Sequence, residues 1–134
     1  MAEKTIRCRL ITRESRVLDA WVSYCAVPLW DGSAGFMPNA APFVAKVGMG
    51  ELRVDLPSGG SKSWFIDGGF MQTVNNEVTV LTPNALPVEA LDAEECRAEL
   101  AEANARKSED AKQMDRITDD RKRARMKLTL AQRR

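Results

Sequence analysis

Six cationic side chains, Arg116, Arg121, Lys122, Arg123, Arg125 and Lys127, crowd one short stretch near the end of the chain. Residues of this type at this density bind anions. They could meet the phosphates of a nucleic acid or the carboxylates of an acidic protein surface. Asp115, Asp119 and Asp120 interrupt the run, and no aromatic residue lies in it to stack on a base. Elsewhere the chemistry is sparse. The chain has no histidine, which removes the commonest general base and the commonest metal ligand. Its three cysteines, Cys8, Cys25 and Cys96, show no CxxC spacing. The odd count, with no export signal at the N-terminus, points to reduced thiols. No nucleophile–base pair and no metal-ligating cluster can be assembled. The expectation is a non-catalytic protein with no catalytic residues, no metal and no cofactor.

The formal net charge is +1, but its distribution is uneven. Residues 1–88 carry eight basic and eight acidic side chains, residues 89–111 three and eight, and residues 112–134 nine and three. An acidic segment is followed by a basic one. No run of apolar residues is long enough to span a membrane. The N-terminus lacks the apolar core of a signal peptide, so the chain is expected to begin at Met1 and to remain in the cytoplasm.

The elements that must position these groups change type once. Up to residue 87, short alternating runs are punctuated by Gly and Pro; after Pro87 there is neither. Residues 5–12 alternate as a half-buried strand. Residues 16–27 read as one strand region and residues 28–42 as a loop. Further strands are expected over 43–47, 50–56, 62–67, 70–74 and 77–81, with turns at 57–61, 68–69 and 75–76. Trp21 and Trp64 fall in strand runs and are expected in the core, whereas Trp30 is the better interface candidate. The fold class is an all-β N-terminal sandwich, or flattened antiparallel barrel, followed by a C-terminal antiparallel α-helical hairpin.

The domains are residues 1–88 and 89–134. Asp92 can cap the first helix, with Glu95 completing a capping-box pair. Ala98, Ala101 and Ala105, with Leu100, form a small-residue face. Ser108 suits the N-cap of the second helix, followed by Glu109 and Asp110. Ala111, Met114, Ile117, Ala124, Leu128 and Ala131 make an apolar stripe broken near Arg121. Such a hairpin buries too little to stand alone. It could be permanently docked, or movable.

The sequence Asp31-Gly32-Ser33-Ala34-Gly35-Phe36-Met37-Pro38-Asn39-Ala40-Ala41-Pro42 resembles a loop of the epsilon subunit of F-type ATP synthase. The resemblance extends through Gly48-Met49-Gly50-Glu51-Leu52-Arg53-Val54, Trp64-Phe65-Ile66-Asp67-Gly68-Gly69-Phe70 and Asn76-Glu77-Val78-Thr79-Val80-Leu81. It covers essentially the whole chain. It implies a central-stalk (rotor) subunit that couples ion translocation to ATP synthesis, peripheral to the cytoplasmic face of the plasma (inner) membrane. It also implies that the sandwich grips the gamma subunit and rests on the c-subunit ring. The hairpin would fold down or extend along gamma, reach acidic loops of the catalytic beta subunits and lower ATP hydrolysis.

By the same resemblance Asp31, Gly32, Ser33, Gly35, Pro38, Asn39 and Ala40 face the c ring, and the six cations form a regulatory face. Two departures qualify this. Ala40 stands where most relatives have His, so ring contact is carried over to the loop and not to that side chain. Some relatives bind ATP through an Asp-x-x-Arg spacing; here Arg97 lies five residues after Asp92, which places the two on different helix faces. No nucleotide site is expected. A nucleic-acid-binding module using the basic helix is the alternative function.

Overall fold

The computed structural model describes residues 5–106 and 110–132. Two compact units divide between Leu86 and Pro87. In the first, alternation along β1 (Ile6–Ile11) turns Ile6, Cys8 and Leu10 inward. The strand region expected over 16–27 is two strands, β2 (Arg16–Val22) and β3 (Tyr24–Leu29), lying in different sheets. Ser23 makes the corner: its N–H and its Oγ both donate to Asp55 O, at 2.9 and 3.0 Å. The expected loop over 28–42 also gives way. Pro28 belongs to β3, and residues Gly32–Phe36 form β4, hydrogen-bonded to β3 from Cys25↔Phe36 to Leu29↔Gly32. Gly32, at φ +143, admits the tight return.

The remaining strands are β5 (Phe43–Lys46), β6 (Met49–Asp55), β7 (Ser61–Asp67), β8 (Phe70–Val74), β9 (Glu77–Leu81) and the short β10 (Ala85–Pro87), which sequence reading did not foresee. One sheet has the order β2-β1-β9-β8-β5, the other β10-β7-β6-β3-β4. The sandwich is not wholly antiparallel, because β1 and β9 pair in parallel from Arg7↔Glu77 to Ile11↔Leu81. Its core interleaves Ile6, Cys8, Leu10, Met71, Val78 and Val80 of one sheet with Cys25, Val27, Leu52, Val54, Trp64 and Ile66 of the other. Each fully buried aliphatic side chain contributes about 1.5–3 kcal/mol. Trp64 is in this core, but Trp21 is 54% exposed. Strand parity is the reason: Ile6↔Val22 points inward, so the next rung, Arg7↔Trp21, points out.

In the second unit a 3-10 turn (Val88–Ala90) leads to α1 (Ala93–Ala105) and α2 (Ala111–Gln132). Asp92 caps α1 by accepting from Glu94 N at 2.8 Å, so its Oδ1 serves the second free N–H, whereas a capping box uses the third. The expected cap Ser108 and its neighbour Glu109 lie outside the described residues. Asp110 takes a capping role, its Oδ1 accepting from Gln113 N at 2.8 Å.

The packing face of α1 also differs from expectation. Ala98, Ala101 and Ala105 are exposed, while Cys96 and Ala103 are buried and Leu100 is half-buried. A series at spacings of four and three keeps one face toward α2. On α2, Ile117, Ala124 and Ala131 are buried as the stripe requires, and Leu128 is half-buried. Ala111 and Met114, placed on the stripe, are exposed, and Leu130, which is outside that series, is buried.

Candidate functional site

The residues 31–40 do not form one loop. Asp31, Gly32 and Ser33 occupy the β3–β4 turn and its first rung, and all three are exposed. Pro38, Asn39 and Ala40 follow β4 at its other end, roughly 13–17 Å away at the extended rise of about 3.3 Å per residue. There Asn39 N donates to Asn76 Oδ1 at 2.8 Å, and Asn76 Nδ2 donates to Thr5 O at 2.9 Å. Pro38 and Ala40 are half-buried. The structure thus separates two groups that were expected to act together.

Backbone pairings build a surface at the β3–β4 turn. Trp30 N donates to Lys46 O at 3.1 Å. Lys46 pairs with Phe70, and Phe70 with Leu81. Three large apolar side chains therefore lie within a few strand spacings: Trp30 is 70% exposed, Phe70 61% and Leu81 52%. Contiguous exposed apolar groups mark interaction sites more often than isolated ones. Of the three, sequence reading singled out only Trp30. Phe70 and Leu81 were hidden because their partnership is a product of sheet register.

Beside this patch, the outer face of the same sheet carries charge. Arg7 pairs with Asp19 at 2.9 Å, Arg9 with Glu77 at 3.0 Å and Arg16 with Asp19 at 3.2 Å. The hydrogen bond from Arg7 holds the Asp19 carboxyl below the usual carboxylate range.

The hairpin divides its cations into two sets. Arg121 fills the break in the apolar stripe. Its Nε donates to Ala103 O at 3.1 Å, and its Nη2 to Asn104 O at 3.3 Å and Arg106 O at 3.4 Å. It thereby adds donors to carbonyls at and just beyond the end of α1 and places a cation at the negative end of that helix. Arg106 pairs with Glu102 at 2.8 Å and with Asp120, which also accepts from Arg123 at 2.8 Å. Hydrogen bonds to Glu102 and then Asp120 push the Arg106 guanidinium further up. Lys127 reaches Glu99 at 3.5 Å. These partners run in opposite senses along the two helices, as antiparallel packing demands.

Arg116, Lys122 and Arg125 are exposed and make no ion pair with a described residue. The basic run is therefore half structural, which thins the stripe that a nucleic acid would need. Asp92 is used as a cap and Arg97 is exposed. Among the described residues, no group of His, Cys, Asp and Glu could hold a metal ion, and no helix is long and apolar enough to cross a membrane.

Comparison with known proteins places this arrangement. Residues 5–88 match the family model for the ATP synthase delta/epsilon chain β-sandwich domain. The chain is 40% identical over 99 residues to the ATP synthase epsilon chain of Rhodopirellula baltica, covering 74% of this chain and 77% of that one. It is 34% identical over 131 residues to that of Myxococcus xanthus, covering 94% of each. In fold it is similar to a chain in the structure of the Euglena gracilis mitochondrial ATP synthase, with a TM-score of 0.76 at 23% identity over 93% of this chain and 76% of that one. A sandwich that matches the family model, continued by a helical hairpin within an alignment running almost end to end, leads to one conclusion: the chain belongs to the ATP synthase epsilon chain family, the non-catalytic central-stalk subunits of the rotary ATP synthase.

Proposed function

We propose that the sandwich anchors the chain to the rotor, and that the hairpin is an arm that restrains ATP hydrolysis. The anchor uses the end of the sandwich where Trp30, Phe70 and Leu81 are exposed. The outward strip Phe70–Leu81 meets the gamma subunit, and the β3–β4 turn with Trp30, Asp31, Gly32 and Ser33 meets the c-subunit ring. Pro38, Asn39 and Ala40 lie at the opposite end of β4, where Asn39 is tied to Asn76, and do not touch the ring. The observation that supports this division is the exposure of three large apolar side chains linked by successive backbone pairings. Such a patch exposed to water has a cost that a docked partner removes.

The arm presents Lys122 and Arg125, adjacent at helical spacing, and Arg116 to acidic loops of the catalytic beta subunits. The chain is then peripheral, held at the cytoplasmic face of the plasma membrane through the complex and without insertion of its own. A reconstituted complex tests the anchor. Trp30→Ala with Phe70→Ser should leave the chain folded by circular dichroism and weaken its binding to a gamma–c-ring assembly by at least tenfold. Unchanged binding by the folded variant sinks the docking assignment.

A further inference from the structure

Two buried thiols take no part in docking or in the hairpin. Cys8 lies on β1, opposite Ala20 and Val78 in its own sheet. Cys25 lies on β3, opposite Phe36 and Val54 in the other. Both are fully buried, and their Sγ atoms are 3.5 Å apart across the core. The two residues are 17 apart in sequence, joined through β2 and the corner at Ser23. A disulfide needs sulfur atoms about 2.05 Å apart, so closure asks for roughly 1.5 Å of approach.

We propose that Cys8 and Cys25 are an oxidisable pair that a hydroperoxide converts into a disulfide bridging the two sheets of the sandwich. One thiolate attacks a peroxide oxygen. The O–O bond breaks, a sulfenic acid forms, and the departing oxygen leaves as water, or as an alcohol when the peroxide is organic. The second thiol loses its proton, its sulfur attacks the sulfenic sulfur, and the S–S bond forms as the S–O bond breaks. The sulfenic oxygen leaves as water. Two thiols are oxidised, one peroxide is reduced, and no other reactant is required.

The oxidant is small enough to enter when the sandwich opens locally. The hydrogen bond with Cys8, and then burial, hold the Cys25 thiol well above its usual range. The product closes a short loop that the unfolded chain would otherwise leave free. Cys96, in α1, belongs to the other unit.

The test uses the full chain, reduced, exposed to hydrogen peroxide and then alkylated under denaturing conditions. The expected product has lost the mass of two hydrogens and takes one alkyl group, at Cys96. Peptide mapping should find Cys8 joined to Cys25, and dithiothreitol should reverse the link. The oxidised form should melt higher by about 5 °C or more, as expected for a small domain gaining a short cross-link. Cys96→Ala should retain the link and Cys25→Ala should abolish it. If Cys25→Ala does not fold, the map of the unaltered chain decides alone. Oxygen added separately to Cys8 or Cys25, links that involve Cys96, or both core thiols remaining free while Cys96 oxidises would each overturn the proposal.

Discussion

Trp21 and Trp64 both lie in β-strands, yet Trp64 is 7% exposed and Trp21 54%. Trp64 shares a rung with Leu52 on the inner face. Trp21 shares one with Arg7 on the outer face. Replacing Trp64 by Ala should therefore destabilise the sandwich by about 3–5 kcal/mol, the usual cost of emptying a core aromatic site. Trp21→Ala should cost about 1 kcal/mol or less, as for most surface positions. Urea unfolding of the two variants measures this directly, and comparable losses would show that the assigned parity of β2 is wrong.

At the scale of the element, polar contacts add to the thin apolar seam that holds the hairpin. Arg121 supplies hydrogen bonds to three carbonyls beyond or near the end of α1. Arg121→Ala should lower hairpin stability by about 1–3 kcal/mol, given the usual worth of charged hydrogen bonds. Amide exchange in the last turn of α1 and the first half of α2 should speed up accordingly. Arg121→Lys keeps the charge and loses the planar fork, so it should restore only part of the protection.

The same region responds to acid. The hydrogen bond from Arg106 is the main cause that holds Glu102 and Asp120 below the usual carboxylate range, with Arg123 adding to the effect on Asp120. Carboxyls depressed in the folded state stabilise it above their unfolded range, and that contribution is lost as pH falls through the lowered values. Helicity of the hairpin should therefore be flat from neutral pH down to about pH 4 and decline below it, starting from the unfolded carboxylate range. A decline centred near pH 6 would point to groups other than these.

For the whole molecule, the question is whether anchor and arm are separable. A fragment of residues 1–88 contains every strand of both sheets. It should fold and bind gamma with near-unchanged affinity, which amide NMR spectra of the fragment alone and with gamma can decide. In the assembled enzyme, changing Arg116, Lys122 and Arg125 together to Ala should raise ATP hydrolysis several-fold while assembly stays intact. Exposed pairs are worth roughly 0–1 kcal/mol each and are screened by salt, so restraint by the unaltered chain should weaken as ionic strength rises. Hydrolysis at the same rate in both forms, whatever the salt, would mean these three side chains merely face solvent. Arg121→Ala provides a contrast, because its effect on hydrolysis would come through a loosened hairpin.

What the sequence determined by itself was local. The alternation of Ile6, Cys8 and Leu10, the turn residues Asn75 and Asn76, and the loss of Gly and Pro after Pro87 act within a few residues of themselves. They are enough to specify strands, a two-residue hairpin with φ of 52° and 60°, and a change to helix. The family could be read for the same reason, from contiguous stretches such as residues 31–42. Tertiary structure decided what depends on partners distant in the chain. The corner at Ser23 exists because Asp55 O is there to accept from it. The parallel pairing of β1 with β9 joins residues about seventy positions apart, and β10 is a strand only because β7 offers it an edge. Arg121 reads as a gap in an apolar stripe until the end of α1 supplies carbonyls for it. The patch of Trp30, Phe70 and Leu81 likewise comes from register across three strands and a hydrogen bond between sheets. Periodicity specifies which face of an element is apolar, but the identity of the group across from it is settled only by pairing.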